Sequence, residues 1–149
     1  MLRLSFAART SLVATLAALA VGSACAAEVQ SEKDARDDCS GDSQAQMTQC
    51  LHGKLAAAQD ALKSAHEKAR VAITAWVDDD KYHTAALARL ATADQAFEKY
   101  RAAQCAFNRS LGGGAIGNAL DMRSLACEVE LDLRRADQLE QLASTLHPR

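Results

Sequence analysis

Residues 43–77, SQAQMTQCLHGKLAAAQDALKSAHEKARVAITAWV, decide the fold of this chain. Apolar residues recur through this stretch at steps of three and four, and mostly polar residues such as lysine, glutamine, glutamate and aspartate lie between them. That period places the apolar residues on one face of an α-helix, roughly 45–50 Å long. The predicted stripe consists of Met47, Leu51, Leu55, Ala58, Leu62, Ala65, Ala69, Ala72 and Trp76.

Both ends of this first helix carry recognisable signals. The turn sequence at 40–43 precedes it, with Asp42 or Ser43 as the N-cap, and Gln46 completes a capping-box pattern with Ser43. At the other end, the acidic run at 78–80 is unfavourable at a helix C-terminus and favourable at an N-terminus. We therefore expect the first helix to end near Val77 and a second to begin near Lys81.

Two further helices are predicted after the acidic run. The second runs to about Asn108, where a glycine-rich segment at 110–118 forfeits helix propensity. The third begins with Asn118 or Asp121 as its cap and stops before Pro148. The predicted inward stripes are Ala86, Leu90, Ala93, Phe97, Tyr100, Gln104 and Phe107 on the second helix, and Leu125, Val129, Leu133, Ala136, Leu139 and Ala143 on the third.

The fold class that follows is all-α. No run of alternating β-branched residues is present, the single proline is penultimate, and alanine is abundant in every periodic segment. Short connections make successive helices antiparallel, which gives an elongated antiparallel three-helix bundle. In that arrangement Trp76 caps the far end of the core.

The N-terminal segment, residues 1–26, has the three-part layout of a secretory signal peptide. Arg3 and Arg9 precede an apolar run at 12–21, and small residues end the segment at Ala26. The apolar run is shorter than the 18 or so residues of a membrane-spanning helix. We expect a periplasmic or secreted protein, with a lipid anchor on Cys25 as the alternative.

Removal of the signal leaves four cysteines, Cys39, Cys50, Cys105 and Cys127. An even number in an oxidising compartment predicts two disulfides, and the lack of Cys-x-x-Cys spacing argues against zinc. We favour Cys39–Cys50 with Cys105–Cys127, since these pairs close the shorter loops. All four cysteines and the glycine loop fall at one end of the bundle, so geometry alone leaves the crossed pairings open.

Residues 27–42 are expected to form a flexible leader, because 28–38 holds one large apolar residue, Val29. The helical domain is then 43–149. The whole chain has 17 basic and 19 acidic residues, and two of the basic ones lie in 1–26, so the charge after cleavage is 15 minus 19, or −4. This charge argues against a nucleic-acid partner and is compatible with a cationic protein.

No cofactor or metal site is predicted. His52, His66, His83 and His147 are scattered without ligand spacing and are expected at the surface. Cys-x-x-Cys-His is absent, which excludes covalent haem. No Ser/His/Asp arrangement, phosphate motif or paired carboxylate stands out, so we interpret the chain as a non-enzyme.

Several residues together resemble the LprI-like lysozyme inhibitor family. They are Phe97, Tyr100, Arg101 and Cys105, followed by Gly112-Gly113 in a loop, Cys127 and a Leu-x-x-Arg-x-x-x-x-Leu stretch over 131–139. Cys39 and Cys50, opening a long helix, resemble the start of that family. The chain differs from the usual family pattern at Asp94, Phe97, Ala102 and Gly114.

The resemblance implies a helical, disulfide-bonded protein that binds a lysozyme. The best candidate contact is the loop at 109–118, because glycines let backbone N–H groups approach a partner closely and no packing need for them is visible. Arg101 can reach a partner's carboxylate or hold an acid within the bundle. The predicted partner-binding residues are Arg101, Arg109, Ser110, Gly112, Gly113 and Gly114.

Two function hypotheses follow. The first is steric occlusion of the lysozyme cleft, a groove that holds two catalytic carboxylates and an extended sugar chain. The second is a non-catalytic envelope-stress or structural protein whose helices bind another envelope protein or a second copy. The sequence leaves the oligomeric state open.

Overall fold

A computed structural model describes residues 29–41, 43–76, 79–114 and 117–146. These ranges contain four helices and no strand, which confirms the all-α class. The predicted signal peptide at 1–26 lies outside them. The helices are α1 (Glu32–Asp38), α2 (Gln44–Trp76), α3 (Asp80–Ser110) and α4 (Asn118–Thr145).

Helix α1 corrects both the prediction of three helices and that of a flexible leader. Ser31 and Asp34 form a complete capping box, in which the Ser31 hydroxyl accepts from the Asp34 N–H at 3.2 Å and the Asp34 carboxylate accepts from the Ser31 N–H. Ala35 is fully buried against the bundle, and Cys39 at the C-cap is tied to α2. A capped and covalently attached helix needs only one small buried side chain to dock.

Helix α4 is the centre of the bundle. It packs along most of α2, against α3 and against α1, whereas α2 and α3 touch each other only sparsely. The core divides into two clusters along this axis. The first contains Ala35, Cys39, Leu51, Ala58, Met122, Ala126 and Val129, and the second contains Ala65, Ala69, Ile73, Leu90, Ala136 and Leu139.

The helix ends follow most of the sequence signals. The Ser43 hydroxyl accepts from the Gln46 N–H at 3.2 Å, and the Asp79 carboxylate caps α3 through the Lys81 N–H at 3.0 Å. The predicted cap of the third helix is wrong. Gly117 is the N-cap of α4, and it makes no side-chain cap bond because glycine has no side chain. Its φ of 61° lies in the left-handed region that favours glycine.

The predicted inward stripe of α3 is correct at Leu90 and wrong further along. Tyr100 and Phe107 are 53% and 56% exposed, and Phe97 is only half-buried. Trp76, expected to cap the core, is exposed as well. The inward face of this half of α3 is instead formed by polar residues that pair with α4 and α1.

Both favoured disulfides are present, Cys39–Cys50 and Cys105–Cys127. The first attaches α1 to the start of α2, and the second joins the end of α3 to α4. In the part of the chain that the structure describes, no helix has the length and apolar character to cross a bilayer.

Candidate partner-binding site

The glycine loop connects α3 to α4 at the end of the bundle that carries both disulfides. Gly113, Gly114 and Gly117 are exposed and have φ values of 55°, 88° and 61°. A Cβ placed on Gly114 or Gly117 would meet no atom within 4 Å. At these three glycines the backbone therefore adopts a conformation that is rare for L-residues, and all three are open to solvent.

Gly112 differs from the other loop glycines because it has a packing role. A Cβ on this residue would lie 2.1 Å from Cδ2 of Leu120, in the first turn of α4. Its N–H donates to the Arg109 carbonyl at 3.2 Å, which closes the last turn of α3. The expectation that the glycines serve no packing need is thus wrong at Gly112.

The loop is bracketed by charged and polar contacts. The Arg109 guanidinium donates through Nη1 to the Asp121 carboxylate, so an ion pair joins the two helices beside the loop. The Ser110 hydroxyl donates to the Phe107 carbonyl at 2.6 Å. Arg109 and Asp121 remain 44% and 53% exposed, which leaves this pair accessible to a partner.

The helices behind the loop are braced at several points. Cys105 and Cys127 are each 2% exposed, so their disulfide is a buried tie between α3 and α4. The Asn108 amide donates to the Glu32 carboxylate at 2.7 Å, and the Glu32 N–H donates to Glu130 at 2.7 Å. Helix α1 thus ties α3 and α4 together on a second side of the bundle.

Arg101 is not part of the loop surface, although it was predicted as a partner-binding residue with the loop. It lies eight positions before Arg109, about 12 Å along the helix. Its Nη1 donates to both carboxylate oxygens of Asp132 on α4, at 2.6 and 2.8 Å. The Asp132 side chain is fully buried and that of Arg101 is 27% exposed. Arg101 has the internal role of holding an acid within the bundle.

A second polar cluster continues from Arg101 along the junction of α2, α3 and α4. His66 Nε2 lies 2.5 Å from Asp94 Oδ2, and Arg135 Nη2 donates to Asp94 Oδ1 at 2.9 Å. The guanidinium carbons of Arg101 and Arg135 each lie 5.9 Å from the centroid of the Phe97 ring. These residues line an open groove of about 290 Å³ between α2 and α3.

Sequence reasoning missed the residues that pair with Arg101 and His66. The signal for Asp132 was present, because it falls at helical spacing between Val129 and Ala136 on the buried face of α4. A carboxylate at a core position requires a partner. Asp94 carried no comparable signal, since its partners come from two other helices.

The histidines hold no metal centre in the ranges that the structure describes, where no group of His, Cys, Asp or Glu has the geometry for one. His52 is exposed as expected. His66 is half-buried beside Asp94, and the His83 side chain is 13% exposed, so neither is the surface residue we predicted. His147 lies outside the described ranges.

The comparison with known families gives one result. A family model described as lysozyme inhibitor LprI matches residues 35–139 of the 149. The match begins at the buried Ala35 within α1 and ends at the buried Leu139 within α4, so it covers α2 and α3 in full and part of α1 and α4. No curated protein and no solved structure matches the chain.

Proposed function

The chain belongs to the LprI lysozyme inhibitor family, and from this membership we propose that it binds a lysozyme and blocks the cleft with its glycine loop. The observation that carries this proposal is the exposed loop on a braced end of the bundle. Gly113 and Gly114 are both exposed, while a disulfide, an ion pair and α1 fix the helices on either side.

Bracing matters because each part of the chain that becomes ordered on binding loses conformational entropy, and this loss weakens the affinity. The Cys105–Cys127 disulfide and the Arg109–Asp121 pair restrict how far the ends of the loop can move apart. The loop then enters the cleft with little ordering of the chain behind it. Loss of either tie should weaken inhibition even if the loop sequence is intact.

The chemistry at the loop suits an acidic groove. Arg109 uses Nη1 for Asp121 and has further N–H donors with which to reach a carboxylate of the cleft. Because glycines carry no side chain, backbone N–H groups of the loop can approach the same region closely. A lysozyme cleft holds two catalytic carboxylates, so cationic and N–H donors at the loop match it.

The proposed setting is the periplasm or the cell exterior, and the proposed role is non-catalytic. The sequence of 1–26 has the layout of an export signal. Two disulfides that tie the helices together suit an oxidising compartment. Arg101 is engaged by Asp132, so we leave it out of the contact and propose Arg109, Ser110, Gly113 and Gly114 instead.

The proposal is tested in a cell-wall lysis assay with micrococcal walls and the oxidised protein. Arg109→Ala is expected to raise the concentration needed for half-inhibition about tenfold, as for a residue at the centre of a contact. The matched control is Arg134→Ala, which removes another exposed, ion-paired arginine, on α4 away from the loop. The control should inhibit as the unmodified protein does.

Two results would overturn the proposal. If the oxidised protein leaves lysozyme activity unchanged at a large molar excess, the chain is not an inhibitor of that lysozyme class. If Arg109→Ala and Arg134→Ala inhibit equally well, the contact lies elsewhere than the loop. Unfolding of both variants is followed by circular dichroism, and an exposed ion pair contributes little to stability.

A further inference from the structure

The outer face of α3 carries an apolar stripe that the bundle does not use. Its members follow each other at steps of three and four, the spacing of a coiled-coil seam. They are Ala93, Ala96, Tyr100, Ala103 and Phe107, all exposed, and Leu111 extends the stripe to the edge of the glycine loop. The residues of α3 that are buried against the bundle, Leu90 and Cys105, lie on a different face.

We propose that this stripe, Ala93 to Phe107, pairs with the same stripe of a second copy of the chain, with the two α3 helices antiparallel. The inference does not depend on lysozyme binding. It rests on the order of side-chain sizes along the stripe, where small and large residues alternate over Ala96, Tyr100, Ala103 and Phe107.

The alternation makes the stripe complementary to itself in one antiparallel register. When Tyr100 is placed level with Ala103 of the second copy, Ala96 falls level with Phe107 of the second copy. By symmetry, Ala103 and Phe107 then face Tyr100 and Ala96 of the other chain. Each large side chain meets an alanine, as close packing of two helices requires. A parallel pairing in register would instead place Tyr100 against Tyr100 and Phe107 against Phe107.

Charge is compatible with the same register. No charged residue interrupts the stripe between Ala93 and Phe107. Lys99 lies beside the stripe and comes level with the neutral Gln104 of the second copy. Arg89, one step before the stripe, comes level with Gly114 of the second copy, beyond the end of α3.

The size of the contact predicts a reversible dimer. Tyr100 and Phe107 are 53% and 56% exposed. A fully buried aromatic side chain removes about 150–250 Å² from water, so the four aromatic residues of a pair would remove roughly 400 Å². With the alanines the contact stays below the roughly 1,200 Å² of a stable complex, which is the range of transient association.

The test is sedimentation velocity on the protein purified with both disulfides formed, at concentrations from micromolar to millimolar. The unmodified protein should shift from monomer to dimer across this range. Ala103→Glu places a carboxylate in the seam at two symmetric positions and is expected to weaken the dimer at least about tenfold. The matched control is Ala102→Glu, an adjacent exposed alanine of the same helix outside the stripe, which should leave the dimer unchanged.

A double variant tests the register. Tyr100→Lys combined with Ala103→Glu places a lysine opposite each new glutamate in the antiparallel pair and should associate more strongly than Ala103→Glu alone. In a parallel pair the same changes would place like charges together. Circular dichroism verifies that each variant is folded.

The proposal is overturned if the protein stays monomeric up to millimolar concentration, if Ala102→Glu and Ala103→Glu weaken the dimer equally, or if the folded double variant associates no more strongly than Ala103→Glu alone. It is also overturned if Ala103→Glu abolishes lysozyme inhibition by a monomeric protein, because the stripe would then belong to the lysozyme contact.

Discussion

Arg101 and Asp132 show how a single pair can fix the position of a helix. Asp132 is fully buried, and both of its oxygens accept from one nitrogen of Arg101 at 2.6 and 2.8 Å. Taking a carboxylate out of water is costly unless a cation and hydrogen bonds compensate. Helix α3 must therefore keep the rotation that points Arg101 towards α4, which in turn leaves Tyr100 outside.

Removal of Arg101 is the direct test of this role. Arg101→Ala leaves Asp132 buried without its cation and is expected to lower the free energy of unfolding by about 3 kcal/mol, measured by urea denaturation. Arg134→Ala, which breaks a pair at the helix surface with Arg134 58% exposed, should cost less than about 1 kcal/mol. Equal losses in the two variants would show that the buried pair does not position α3.

At this scale the sequence could predict some pairings and not others. Loop length favoured the observed cysteine pairing without excluding the crossed ones, and Asp132 could have been recognised as a charge on an apolar stripe. Asp94 could not, because its partners His66 and Arg135 are 28 and 41 positions away and belong to different helices. Such contacts depend on how the helices cross, which periodicity does not contain.

Helices α2 and α3 differ in how well their sequences define them. The face of α2 is lined by alanine and leucine at regular steps, so the period alone gives its buried residues Leu51, Ala58, Ala65 and Ala69. The second half of α3 presents Asp94, Arg101 and Asn108 to the bundle, while Tyr100 and Phe107 point outward. A reading based on apolar periodicity therefore selects the wrong face of α3.

Helix α1 was missed for a different reason. Seven residues are too few to show a hydrophobic period, and a helix this short is not stable alone. Its order comes from the Ser31 capping box, the burial of Ala35 and the disulfide at Cys39. The composition of residues 28–38 suggests disorder only when these tertiary ties are left out.

The capping box gives α1 a testable dependence on Ser31. Ser31→Ala removes the acceptor for the Asp34 N–H and is expected to speed amide hydrogen exchange in α1 about fivefold. Ser144→Ala, which removes a hydroxyl near the end of α4, serves as the control and should leave α1 unchanged. Unchanged exchange in Ser31→Ala would show that the disulfide alone orders α1.

The same box predicts a pH dependence. The hydroxyl and then the backbone N–H of Ser31 donate to the Asp34 carboxylate and hold its pKa below the usual value. A carboxylate with a lowered pKa stabilises the folded form while it is ionised. This contribution is present at neutral pH and lost as the pH falls through the titration of Asp34. NMR carbon chemical shifts of α1 should report a loss of helix in that range, and a smaller one in Ser31→Ala.

At the scale of the whole molecule, the bundle places its exposed loop and its disulfides together. Helix α4 contacts every other helix, and the first core cluster lies directly behind the loop. The all-α class, the long helix α2 and the position of the glycine loop could be predicted from sequence. The central place of α4 could not, because it depends on how three helices share one neighbour.

The same arrangement separates two surfaces of the molecule. The loop at the end of the bundle is the proposed contact for lysozyme, and the outer stripe of α3 is the proposed contact for a second copy. The two meet at Leu111, which is 55% exposed at the C-cap of α3. Arg109 belongs to the loop and Ala103 to the stripe, so variants at these two residues report on different surfaces.

Competition for the lysozyme cleft tests the central claim most directly. Binding of the oxidised protein to lysozyme is measured by calorimetry, with and without a chitin oligosaccharide at a concentration that fills the cleft. Occlusion by the glycine loop predicts that the apparent affinity of the protein for lysozyme falls as the oligosaccharide fills the cleft. Binding of unchanged affinity to a lysozyme whose cleft is already filled would contradict the account.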